Sequence, residues 1–134
     1  MEIKQLKSIT KDMTLLYVED NSDLSRLNMD LFEDIFKHVD LAMDGHSGLE
    51  FYNKNSYDLV ITDINLPKIN GLAMLKSIFS KDENQSVVVV SAYSENEYKD
   101  KLDALEIKHF LSKPISSKNM MSTIYESIKK EEFI

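Results

Sequence analysis

Apolar residues along the chain follow two spacings. Short, nearly unbroken runs occur at Met13–Val18 (MTLLYV), Val39–Met43 (VDLAM), Asp58–Thr62 (DLVIT), Ser86–Ser91 (SVVVVS) and Lys108–Leu111 (KHFL), each of strand length. The third and fourth are rich in β-branched residues, which suits strands covered on both faces. Val39–Met43 carries Asp40, as an edge strand would. Between the runs the spacing becomes helical. Leu24, Leu27, Leu31 and Ile35 predict one apolar stripe, with Asn21, Ser22 and Asp23 ahead of it as N-cap candidates. Leu49 and Tyr52 mark a second helix. Leu72, Leu75, Ile78 and Phe79 mark a third, opened by Gly71. Tyr98, Leu102 and Leu105 mark a fourth, with Ser94 as its cap, and Met121, Ile124 and Ile128 a fifth after Pro114. Five strands alternating with five helices over short connections require a parallel sheet with helices on both faces, a doubly wound α/β fold. The domain is expected over residues 13–130. Residues 1–12 form an N-terminal extension with a frayed helical turn, and residues 131–134 a charged tail.

Composition narrows the function. The 134 residues include no cysteine, which removes disulfides, zinc–thiolate sites, iron–sulfur clusters and cysteine nucleophiles. The formal net charge is −7, so the surface repels nucleic-acid phosphates. No apolar run is long enough to span a bilayer and the Met1 end is too polar for a secretory signal. The expected compartment is the cytoplasm.

In open α/β sheets the ligand site lies beyond the carboxyl ends of the strands. There the sequence supplies Glu19 and Asp20 after the first strand, the turn Asp44-Gly45 after the second, Asp63 after the third, Ser91 at the end of the fourth, and Ser112, Lys113 and Pro114 after the fifth. Gathered carboxylates repel one another unless a cation holds them, and hard oxygen ligands suit Mg²⁺. A lysine and a hydroxyl beside them would meet phosphate oxygens, and one aspartate could act as a nucleophile that forms an acyl phosphate. Each residue alone reads more readily as a turn, cap or solvated side chain. An acid pair, an acid, a hydroxyl and a base at the same end of successive strands do not.

The motifs YVEDN, DLVITDINLPKINGLAML, VVVVSAYS and FLSKPI, in this order and spacing from Met13 to about Lys130, resemble the receiver domain of bacterial two-component response regulators, the chemotaxis-regulator type of fold. The resemblance implies a flavodoxin-like five-stranded sheet of order 2-1-3-4-5. It implies that Asp63 is the phosphoacceptor and that Glu19, Asp20, Asp63 and the backbone carbonyl of Asn65 hold Mg²⁺ or Mn²⁺. Ser91 becomes the switch hydroxyl, Lys113 the phosphate-contacting lysine before a cis Pro114, and Phe110 the switch aromatic. Asn65 and Tyr93 fall where family members tune dephosphorylation. The implied partners are a sensor histidine kinase or phosphotransfer protein, and a phosphatase or output partner on the face of the fourth helix, fifth strand and fifth helix; dimerisation on phosphorylation stays open. The sequence departs from the family pattern at Asn70, where an Asp usually precedes the Gly, and at Glu106-Ile107-Lys108-His109, which lacks the usual small Gly-Ala turn.

Two other classes share parts of this pattern. A haloacid-dehalogenase-type phosphatase would need its nucleophile on the first strand, and a flavodoxin would need a Ser/Thr/Gly-rich phosphate loop there. A degenerate receiver, acting as a phosphorylation-independent interaction module, is the runner-up; the complete acid set, hydroxyl and lysine argue against it. His38, His46 and His109 show no metal-ligand spacing, and the seven methionines read as core filler.

Overall fold

The computed structural model describes residues 1–92 and 95–129. In chain order the elements are α1 (Ile3–Thr10), β1 (Thr14–Val18), α2 (Ser22–Ile35), β2 (His38–Ala42), α3 (Gly45–Lys54), β3 (Leu59–Asp63), α4 (Gly71–Lys81), β4 (Val87–Ser91), α5 (Glu95–Ala104), β5 (Phe110–Ser112) and α6 (Ser117–Ile128). The strands form one parallel sheet in the order β2-β1-β3-β4-β5, the order expected. β2 is an edge strand, as Asp40 suggested, whereas β3 and β4 are buried along their whole length. No helix among the described residues is long and apolar enough to cross a membrane.

Strand alternation divides the core in two. Leu16, Val18, Val60 and Val89 point toward Met74, Leu75, Ile78 and Leu102, under α3, α4 and α5. Leu15, Tyr17, Leu59, Ile61, Val88 and Val90 point the other way, toward Leu6, Phe32, Ile35, Met120 and Ile124, under α1, α2 and α6. Covering both faces explains why β3 and β4 read as continuous apolar runs.

The five expected helices are six. In place of a frayed turn, residues 3–10 form α1. Leu6 is fully buried among Phe32, Ile35 and Ile124, and the Thr10 hydroxyl donates to the Ile35 carbonyl (2.6 Å), satisfying one of the carbonyls at the end of α2. Few apolar positions in eight residues left this docking unreadable from periodicity.

The predicted stripe on α2 is also corrected. Ile35 is buried and Leu31 packs against the same core layer as expected, but Leu27 is 68% exposed, and Ser25 and Phe32 are buried in addition. The inward face near the start of α2 is polar, because the Asn28 amide donates to the Tyr17 hydroxyl (2.8 Å). A count of leucines therefore misplaces Leu27. After α5, Glu106 takes φ 57. The amides of Glu106 and Ile107 donate to the carbonyls of Asp103 and Leu102 (both 3.0 Å), a Schellman closure made by a residue with a side chain where glycine is usual.

Candidate functional site

Glu19 and Asp20 follow β1, Asp63 is the last residue of β3, Ser91 the last of β4, and Lys113 follows β5. All five thus lie at one edge of the sheet. The Glu19 amide donates to the Ala42 carbonyl (3.0 Å), tying the acid pair to the end of β2. The Lys113 amide donates to the Ser91 carbonyl (2.7 Å), so the strand that carries the hydroxyl also positions the lysine. The Lys113–Pro114 peptide bond is cis, as the resemblance implied.

The Lys113 ammonium stands between two carboxylates, 2.6 Å from Glu19 Oε1 and 2.7 Å from Asp63 Oδ2. Their other oxygens are engaged as well: Glu19 Oε2 accepts from the Asn21 amide (3.3 Å) and Asp63 Oδ1 from the Asn65 amide (3.2 Å). Glu19 is 2% exposed and Asp63 8%, while Asp20 faces solvent. Burial holds the Glu19 carboxyl above its ordinary pKa despite the lysine beside it. For Lys113 burial pulls downward, but hydrogen bonds from its ammonium to Asp63 and Glu19 outweigh it and the pKa is raised.

Glu19, Asp20 and Asp63 each offer an oxygen, and these lie within 4.8 Å of one another. Two buried carboxylates and one exposed carboxylate form an all-oxygen donor set open to water on one side, which fits a hard divalent cation that keeps part of its hydration shell. Ser91 is fully buried. Phe110 opens β5, half-buried against the core beneath α3, α4 and α5. Tyr93 and the cap candidate Ser94 lie outside the described residues. The structure therefore brings together Glu19, Asp20, Asp63, Asn65 and Lys113, with Ser91 at the end of the adjoining strand.

Tyr17, close to the acid pair in sequence, and a groove that the sequence did not reveal complete the surroundings of the site. Tyr17 lies against Phe32 edge-to-face and bonds Asn28. Burial, together with the charges of Glu19 and Asp63, keeps its phenol neutral. Beside Lys113 runs a groove of about 680 Å³, lined by Leu24, Leu27, Val90, Pro114 and Ile115. Its only sequence signal is Leu27, an apolar residue that fits both a core stripe and an exposed patch.

Comparison with known proteins places this geometry. The chain is 32% identical over 118 residues to the chemotaxis protein CheY of Treponema pallidum, covering 86% of this chain and 82% of that protein. It is 33% identical over 114 residues to the transcriptional regulatory protein DltR of Streptococcus agalactiae, covering 84% of this chain and 50% of that protein, so it spans about half the length of that relative. Among solved structures, the N-terminal domain of an uncharacterized protein from Wolinella succinogenes superposes with a TM-score of 0.79 at 34% identity, covering 85% of this chain and 92% of that one. The family model of the response regulator receiver domain matches residues 15–125, a span that contains the sheet from Leu15 onward and every residue of the acidic site, and the chain belongs to that family.

Proposed function

We propose that this receiver domain takes a phosphoryl group onto Asp63 from the phosphohistidine of a sensor kinase or phosphotransfer protein, in a reaction that depends on Mg²⁺. Glu19, Asp20, Asp63 and the Asn65 carbonyl would hold the ion, which supplies positive charge against the phosphoryl oxygens. An Asp63 carboxylate oxygen attacks phosphorus and forms an acyl phosphate. The phosphorus–nitrogen bond breaks, and its electron pair leaves with the imidazole. Lys113 is already at hydrogen-bond distance from Asp63 and pairs with the charge that arrives there. Water later cleaves the acyl phosphate and restores the carboxylate, so the domain acts as a stoichiometric switch rather than a turnover enzyme.

The donor has to reach Asp63 past the rim of the site, so it covers the groove beside Lys113, and the exposed Leu27 is what it would bury. The phosphoryl group then favours one of two packings of Ser91 and Phe110. Output partners read the change on the face of α5, β5 and α6.

The observation that carries this reading is the single ammonium shared by Glu19 and Asp63 at the carboxyl ends of the strands. Incubation with acetyl phosphate and Mg²⁺ tests it by intact mass. The native protein should gain one phosphoryl group and Asp63→Asn none. No gain, or a gain that survives the substitution, contradicts the reading.

A further inference from the structure

Residues 64–70 connect the proposed acceptor to α4 and carry the Asn65 carbonyl, and their path is fixed at two places. At the inner end the Gly71 amide donates to the Ile64 carbonyl (2.7 Å). A Cβ on Gly71 would fall 2.0 Å from the carbonyl oxygen of Asp63. At the outer end the Pro67 carbonyl accepts from two amides, Ile69 (2.8 Å) and Gly45 (3.3 Å). The first closes a γ-turn about Lys68, whose φ of 67 is costly for a residue with a Cβ. Something must keep it there. The second comes from the first residue of α3. A Cβ on Gly45 would fall 1.8 Å from the Ile69 carbonyl oxygen and 2.9 Å from its Cβ, so no other side chain permits this approach. Asp44, which caps α3 by accepting from the Ser47 amide (2.7 Å), also meets the Lys68 ammonium at 3.6 Å.

We propose that Gly45 is a positioning residue for the proposed cation site: the start of α3 is the abutment against which the strained loop after Asp63 is set, and this contact places the Asn65 carbonyl. The proposal rests on the reading of the acidic cluster as a Mg²⁺ site. It assigns the Asp44-Gly45 pair, which the sequence offered only as a turn, a role in cation affinity through the loop it supports.

The test is Mg²⁺ binding by calorimetry, well below the unfolding temperature, on the wild type, Gly45→Ala, Asp44→Ala and the control Leu6→Ala in the opposite core layer. Supports of this kind typically govern metal affinity by about tenfold or more. Gly45→Ala should lose about tenfold and Asp44→Ala a smaller but measurable part of the affinity. Leu6→Ala should lower the melting temperature and keep the wild-type affinity. If folded Gly45→Ala binds as tightly as the wild type, or loses no more than Leu6→Ala, the proposal is overturned. Should Gly45→Ala fail to fold, Asp44→Ala decides, since it introduces no clash; an unchanged affinity there overturns the proposal. A wild type that binds no Mg²⁺ overturns the reading of the site itself, whereas equal binding by the variants overturns only the role of Gly45.

Discussion

Lys113 Nζ lies 2.7 Å from Asp63 Oδ2 although 50 residues separate the two in sequence. The same ammonium holds Glu19 at 2.6 Å, so a single cation offsets two of the three clustered carboxylates. Lys113→Ala would leave Glu19 and Asp63 buried and uncompensated, and removing one partner of a buried pair costs about 3 kcal/mol. In urea unfolding without divalent ions the variant should lose about that much stability. Added Mg²⁺ should recover more of it in the variant than in the wild type, since it meets the same carboxylates.

The pH dependence of the site follows from the raised pKa values of Glu19 and Lys113. Glu19 holds its proton more tightly folded than unfolded, so its contribution to stability is largest in acid and falls as pH rises from the ordinary 4.5 through the raised folded value. Cation binding needs the ionised form. Mg²⁺ affinity should therefore begin to fall, on acidification, at a higher pH than for an ordinary glutamate. Calorimetric titrations across this range should show the fall in the wild type and a flatter profile in Glu19→Gln. Lys113 has the same sense at higher pH: its stabilisation is complete below the ordinary 10.5 and lost as pH rises through the raised folded value.

Leu27 separates donor docking from chemistry. It is 68% exposed, so Leu27→Asp should change stability by less than about 0.5 kcal/mol. Phosphoryl transfer from a phosphohistidine protein should slow by about tenfold, the effect of losing one well-placed apolar contact. Phosphorylation by acetyl phosphate should be unaffected. Equal rates with both donors in the variant and the wild type would remove the groove from the interface.

Glu106 closes α5 at φ 57, a conformation that costs a residue with a Cβ about 1 kcal/mol. Glu106→Gly keeps the closing amides and removes the cost. Thermal unfolding should shift upward by about 3 °C, with Mg²⁺ binding unaltered.

The sheet was legible because β3 and β4 are covered on both faces and leave runs such as SVVVVS that no amphipathic helix produces. The site was legible because one topology carries Glu19, Asp63, Ser91 and Lys113 to the same edge, so position along the strand order stood in for distance. Other features are set by tertiary contacts. Leu6 and Thr10 are buried only through packing on α2 and α6, which eight residues do not signal. Asn28 faces inward only because Tyr17 reaches it, which turns Leu27 outward. Lys68 and Glu106 adopt positive φ without the glycine that would have signalled it. At Gly45 the residue type was readable as a turn, but the carbonyl it approaches belongs to a loop more than twenty residues away.

Reduction of the phosphorylated protein with borohydride tests the central claim most directly, because hydride converts an aspartyl phosphate to homoserine and leaves a mark on the side chain that carried the group. After incubation with acetyl phosphate and Mg²⁺, peptide sequencing by mass spectrometry should find homoserine at position 63. Homoserine at any other aspartate, or a phosphorylated protein that yields none, would contradict the account.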